Sequence, residues 1–325
     1  MAKKRLYITL KGWELRRHLI KCGDLVNKFG SVIILEEDIY VSPVFYSYAC
    51  EALTYYSNDD RIAGISLYTL TFGEGHKFPF TPIDDGSDVF FMQMAGSIGQ
   101  VLTRERWNNF KNWYESNPDL SEVKGLSKII KNWPEQSWKK YFVAYIILFD
   151  KYFVFPKKSY VTNFADKGTN MISTSFVLQV PLKLKKTNVR FISLDDALSV
   201  YDSFSEILPD RLNKFTDTLK DYDYEVDLYG RKESFSKDYI LTRRNCQNTI
   251  LTFDRNAKPH EMNIIMDLPG NVFSLAHKDD VEMNEQGLGE KMDDFTYFYT
   301  FVFNSSYMIK IILYRIISKW KRFFK

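Results

Sequence analysis

At 325 residues, 45% of them hydrophobic, the chain is long and apolar enough to bury one large core or two smaller ones, which excludes a disordered protein. A net charge of +3 is too small an excess for a surface that tracks nucleic acid, so nucleic acid is not expected as a partner. The three cysteines, Cys22, Cys50 and Cys246, form no Cys-x-x-Cys pair and no zinc-type spacing with histidine, a pattern expected of reduced thiols in a cytosolic setting. The opening Met1-Ala-Lys-Lys-Arg-Leu-Tyr-Ile runs into too short an apolar stretch for a secretory signal.

In chain order, Arg5 to Leu10 alternates weakly and predicts a first strand. Leu15, Leu19, Leu25, Val26 and Phe29 recur at helical spacing and Gly30 supplies a stop. Ser31-Val-Ile-Ile-Leu35 then runs straight into Glu36-Glu37-Asp38. This predicts a buried strand that delivers carboxylates at its C-terminal end, the edge at which open α/β sheets bind ligands. Three adjacent acids repel one another and persist where water, hydrogen-bond donors or a cation offsets the repulsion; the competing reading is an ordinary acidic turn.

Pro43 to Tyr56 resumes a helical pattern closed by Asn58-Asp59-Asp60, and Ile62 to Leu70 predicts another core strand. These alternating elements argue for a mainly parallel sheet. Thr71 to Asp88 dissolves into a loop long enough to suggest a role in function. In Val89 to Leu102 the small residues at 95, 96, 97 and 99 let a backbone or ligand approach closely, or serve tight packing. Thr103 is the expected cap of a helix whose Trp107, Phe110, Trp113 and Tyr114 form a core stripe. A helix ending near Asp150 follows, then a short strand at Tyr152 to Pro156, and a polar loop from Ser159 to Met171.

Glu36-Glu37-Asp38 followed by Val41-Ser42-Pro43-Val44-Phe45 resembles the acidic motif of GT-A-fold glycosyltransferases. The likeness is to the N-acetylglucosaminyltransferase I type and to bacterial polysaccharide glycosyltransferases. Three further blocks keep the family's order: Gly64 to Thr69; Ala95 to Leu102 leading to Trp107; and Phe155-Pro156 with Asn163-Phe164 and Lys167-Gly168. The resemblance covers residues 12–171, about half the chain. It implies a GT-A-like α/β core over 1–171, a mainly parallel sheet flanked by helices, that transfers sugar from a nucleotide-sugar donor to a glycan or lipid-linked acceptor in surface-polysaccharide synthesis.

The resemblance also implies roles. Asp38 would contact Mn²⁺ or Mg²⁺, hard ions that prefer carboxylate and phosphate oxygens. Glu36 and Glu37 would face the donor's sugar and ribose, although the family commonly has Asp where Glu37 stands. The loop carrying Lys167 and Gly168 resembles one that closes over bound donor and excludes water. Inverting members place the general base just before a Trp, where this chain has Gln136-Ser137-Trp138; an amide takes no proton, and the neighbouring Glu135 is the substitute candidate. The family also places a longer nucleotide-binding portion ahead of the acids than the 35 residues present here. These two departures favour an alternative, a non-catalytic GT-A-like subunit that binds a glycan or a partner enzyme. A metal-dependent hydrolase would share the acids but lacks a positioned His or second carboxylate motif.

Residues 172–300 are expected to form a smaller, strand-rich extension for acceptor recognition, with strands at Tyr222 to Gly230, Tyr239 to Leu241, Thr249 to Phe253 and Met262 to Asp267, and helical patches from Leu194 to Leu219. The acids Asp279 to Glu285 predict a solvated loop, and the four histidines show no ligand spacing. From 301 to 325 apolar residues at helical spacing are interrupted by Lys310, Arg315, Lys319, Lys321, Arg322 and Lys325. The segment falls short of the roughly 20 apolar residues of a spanning helix. It reads as a basic amphipathic helix, either lying on the anionic inner face of the cell membrane or docked on the protein's own core.

Overall fold

The structure is a computed structural model that describes residues 15–164, 177–284, 288–299, 306, 309–314, 316 and 317. The strand expected at Arg5 to Leu10 lies outside them, as do Lys167 and Gly168. Residues to Glu282 pack as one compact unit, and Met283–Lys325 form a second.

The chain enters as α1 (Leu15–Asp24) and α2 (Val26–Phe29), stopped at Gly30, whose φ of 83° suits glycine. It continues through β1 (Ser31–Ile34), β2 (Ile39–Val41), α3 (Phe45–Tyr55), β3 (Ile62–Ser66), β4 (Val89–Met92), β5 (Gln100–Thr103), α4 (Arg104–Glu115), α5 (Lys128–Lys131), α6 (Trp138–Leu148), β6 (Tyr152–Pro156) and β7 (Val161–Asn163). Thr103 caps α4 as expected, its hydroxyl accepting from the Arg106 backbone N–H. The aromatic stripe of α4 is core: Trp107 and Phe110 are fully buried, and Phe110 stacks on Phe142 of α6 with ring centroids 4.2 Å apart.

The main sheet has the order β1-β5-β3-β6-β4-β8, where β8 is Val200–Tyr201. It is a mixed sheet, which corrects the expectation of a mainly parallel one: β1·β5, β3·β5 and β4·β6 are antiparallel, while β3·β6 and β4·β8 are parallel. For β3·β5 the connection supplies a reason: a parallel neighbour needs a crossover, usually helical, and neither Thr71 to Asp88 nor Gln93 to Gly99, which lead from β3 through β4 to β5, contains a helix. The Gln93 to Gly99 segment links β4 to β5 past the two intervening strands, which explains its small residues. A Cβ on Gly96 would stand 3.0 Å from Ser66 and 3.3 Å from Phe153, and Gly99, at φ 71°, lies against Leu35, Leu67 and Val161. The close approach is thus to the protein's own side chains.

After β8 come α7 (Pro209–Leu212), β9 (Tyr224–Asp227), β10 (Tyr239–Thr242), β11 (Leu251–Phe253), α8 (Glu261–Ile265), β12 (Phe273–His277) and, in the second unit, α9 (Leu288–Tyr299). The strand-rich character expected here is present as a four-stranded sheet, β11-β12-β10-β9. Leu194 to Leu219 carries only the short α7 and β8 amid turns. Met262 to Ile265 is helical and Met266-Asp267 a turn, where a strand was expected over Met262 to Asp267. The Asn263 side chain accepts from the backbone N–H groups of Asn256 and Ala257 (2.7 and 2.8 Å), which fixes a helical turn that a short apolar run could not signal. His76 and His260 are buried packing groups, His76 stacked 3.8 Å from Tyr229, and burial pushes the His76 imidazole down to about 3.

Glu261, buried in α8, accepts from the Tyr201 hydroxyl at 3.1 Å, and burial pushes its carboxyl up to about 7. The folded state therefore holds a proton that the unfolded chain releases near pH 4.5, so stability contributed by the protonated form is complete below about 4.5 and is lost as pH rises through about 7. Glu261→Gln keeps an acceptor for Tyr201 and removes the ionisation. Unfolding free energies measured from pH 4.5 to 8 are expected to fall less steeply in the variant than in the parent, by an amount on the order of 3 kcal/mol across the window.

Candidate active site

β1 is an edge strand, hydrogen-bonded only to β5 among the described residues, so it is half-buried and Leu35 exposed, which corrects the expectation of a buried strand; it delivers Leu35-Glu36 and the turn Glu37-Asp38 at its C-terminal end. The chain then reverses into β2, which pairs antiparallel with β7 so that Ile39 faces Asn163. This pairing fixes Asp38 twice. Its backbone carbonyl accepts from the Phe164 N–H at 2.8 Å, and its Oδ2 accepts from Asn163 Nδ2 at 2.7 Å. The other carboxylate oxygen, Oδ1, is buried and has no hydrogen-bond partner among the described residues. A buried carboxylate oxygen left unpaired is costly, and a cation or a ligand donor is what offsets that cost.

Glu36 is half-buried and Glu37 exposed. Burial, then the neighbouring charges of Asp38 and Glu37, push the Glu36 carboxyl up to about 7, and Lys139 pulls part of the way back. Lys139 lies in the first turn of α6. Its ammonium pairs with Glu74 of the long loop between β3 and β4, donates to Ser97 Oγ at 3.2 Å and lies 5.7 Å from the centre of the Trp133 ring. Three segments remote in sequence thus meet at Lys139 and bring a cation to the acidic turn. Gln100, opposite both Ile34 and Ser66 at the start of β5, adds another fully buried side chain whose amide atoms find no partner among the described residues.

Of the residues expected at the site, Glu36, Glu37 and Asp38 stand together and Asn163 joins them across 125 positions. Glu135 is exposed, in the turn that leads into α6; its backbone carbonyl accepts from Arg16 at 3.0 Å, and its carboxylate makes no hydrogen bond or ion pair among the described residues. Sequence reasoning missed Lys139 and Glu74. The available signal was a lysine pair, Lys139-Lys140, opening an otherwise apolar helix.

No protein-family model matches this chain, and no curated protein does. The chemistry of the site therefore rests on its geometry. Among the described residues no group of three or more His, Cys, Asp or Glu side chains gathers as a metal cage. A magnesium-type site needs no such cage, because it uses one or two carboxylates and completes its shell with water and substrate phosphate. Asp38, with one oxygen held by Asn163 and the other buried and unpaired, fits that use as a single hard oxygen donor. The three cysteines are free thiols.

Proposed function

We propose that the protein is a glycosyltransferase with a GT-A-like core, which moves a sugar from a nucleotide-sugar donor to a glycan or lipid-linked acceptor with the help of Mn²⁺ or Mg²⁺. The observation that carries this reading is the buried Oδ1 of Asp38, unpaired among the described residues, in the turn that follows β1. The convergence of the resembling blocks supports it: Glu36 to Asp38, β3, β5 and β6 lie in or beside one sheet, and Asn163 reaches Asp38 directly. In this reading Asp38 holds the divalent ion and Glu36 and Glu37 face the donor; Lys167 and Gly168, outside the described residues, keep only the part that the resemblance implies for them. The ion, when bound, neutralises the charge that grows on the departing diphosphate. Lys139, beside Glu36, places a second positive charge near the same group.

Glu135 is the proposed proton acceptor for the acceptor hydroxyl. Its unengaged carboxylate leaves it available for that task, and Glu135→Gln is expected to lower turnover at least about a hundredfold while leaving donor affinity unchanged. Unaltered turnover in Glu135→Gln removes it from the mechanism.

The second reading is a GT-A-like subunit without activity of its own. The edge position of β1 and the amide of Gln136 favour it, since a partner chain could pair with the open edge. A panel of nucleotide sugars with Mn²⁺ separates the two. Donor-dependent thermal stabilisation together with nucleoside-diphosphate release supports the transferase, and indifference to every donor overturns it.

A further inference from the structure

A cavity of about 260 Å³ opens at the end of the main sheet opposite the acidic turn. Its lining takes Ile62 and Ala63 from the start of β3 and Thr103 from the end of β5, and Thr103 pairs with Ser31, the residue that begins β1. The acids follow the other end of β1, roughly 15 Å away along the chain at ~3.3 Å per residue. Helix α4 contributes Arg106, 9% exposed beside the core residue Trp107. Its Nη2 donates to the Tyr56 carbonyl, while its Nη1 is buried with no hydrogen-bond partner among the described residues. A guanidinium keeps its charge in a protein, so an N–H left unanswered there is costly, and an acceptor oxygen on a ligand would remove that cost.

The charges around the cavity select the ligand. Asp59 is already held by Arg61, whose Nε and Nη2 donate to its two oxygens at 2.9 and 2.8 Å. That leaves the acids Asp60 and Glu105 against the cations Arg106 and Lys151, an even balance. The signs alternate rather than sort to opposite walls: Glu105 adjoins Arg106 in sequence, and the Lys151 ammonium donates to the Asp60 carbonyl at 2.6 Å. An ion of either sign would stand close to a like charge, whereas a neutral molecule would meet donors and acceptors together. The side chains of Asn58, Asp60, Glu105 and Asn109 are exposed at the cavity and make no hydrogen bond or ion pair among the described residues.

We propose that this cavity binds a neutral, hydroxyl-rich ligand, a single sugar residue either free or as one unit of a glycan. Neighbouring hydroxyls offer acceptors to Arg106 and the asparagine amides and donors to the two carboxylates, and Ile62, Ala63 and the Tyr145 ring supply a small apolar wall for a face of C–H groups. The volume lies below the roughly 300–1,000 Å³ that drug-sized ligands occupy, which suits one ring. The cavity is remote from the acidic turn, so this binding goes beyond sugar transfer; joined to it, the cavity would hold a glycan away from the reacting end.

Ligand-observed NMR titration of the full chain tests this, in chelator and without nucleotide, so that its failure is separate from failure of a metal-dependent donor site. At least one of glucose, galactose, mannose and N-acetylglucosamine is expected to bind with a dissociation constant on the order of a few millimolar, and glucuronate and protonated glucosamine at least about tenfold more weakly than the best neutral sugar. The methyl glycoside of that sugar distinguishes the sources: equal binding marks a glycan unit, and loss of binding marks a free sugar. Asn109→Phe, at an exposed position of the lining, is expected to keep the parent's thermal midpoint and to lower affinity at least about tenfold. Arg106→Met, which keeps the apolar stem and removes the donors, is expected to lower it likewise; should it lose the parent's thermal transition, Asn109→Phe decides alone. No neutral sugar bound at ~50 mM overturns the proposal. So does affinity unchanged in either folded variant, or a charged sugar bound more tightly than every neutral one.

Discussion

Asp38→Asn is expected to fold as the parent does and to lose divalent-ion-dependent donor binding by at least about a hundredfold, since loss even of a supporting residue at a metal site typically costs ten- to a hundredfold. The direction of the hydrogen bonds makes the substitution informative. Asn163 Nδ2 donates to Asp38 Oδ2, so an amide at position 38 must turn its oxygen toward Asn163 to keep that bond. The NH₂ group then occupies the place of the buried Oδ1, where a donor of protons replaces a ligand for a hard cation. The same change removes a carboxylate whose second oxygen is unpaired. In the absence of metal the variant is therefore expected to be at least as stable as the parent, the usual sign of a group kept for function at a cost in stability. Isothermal titration with Mn²⁺ and donor, beside thermal unfolding in chelator, measures both. Metal and donor affinities equal to the parent's would disprove the assignment of Asp38.

The second large effect concerns stability. Asp227 ends β9 with no exposure at all; its Oδ1 accepts from the N–H groups of Arg231 and Lys232 at 2.7 and 2.9 Å, and its Oδ2 accepts from Arg244 Nε at 2.9 Å. Arg244 donates onward to the carbonyls of Gly230 and Lys232, each at 2.8 Å, so one guanidinium closes the whole turn after β9. Burial pushes the Asp227 carboxyl up and Arg244 opposes that rise. Arg244→Met leaves a buried charge and two carbonyls without their donor, and is expected to cost about 3–5 kcal/mol. The loss should shrink in acid, where Asp227 takes up a proton, and Asp227→Asn combined with Arg244→Met should recover part of it by removing the stranded charge. Denaturant midpoints of the parent, the single and the double variant read these effects. A single-variant loss under about 1 kcal/mol would mean that the pair contributes no more than a surface ion pair.

The sequence by itself determined the elements whose signals are local. The apolar run before Glu36, the stop at Gly30, the Thr103 cap and the stripe of Trp107 and Phe110 each rest on spacings within one or two turns, which backbone geometry and burial read directly. The acid triplet was legible for the same reason, as a strand end crowded with like charge. Tertiary structure decided what depends on partners far away in the chain. Whether β1 sits at an edge, and whether its neighbour runs with or against it, is set by pairing with β5 some 70 positions later, as the register Ser31 to Thr103 shows, and no periodicity encodes that choice. Met262 to Ile265 is helical because Asn263 reaches back to Asn256 and Ala257, a pair of bonds that its apolar neighbours do not announce. The site itself divides along the same line. Glu36, Glu37 and Asp38 are adjacent in sequence, but the amide that orients Asp38 and the lysine whose charge acts on Glu36 arrive from Asn163 and Lys139, brought there by strand pairing and helix packing that only the folded chain specifies.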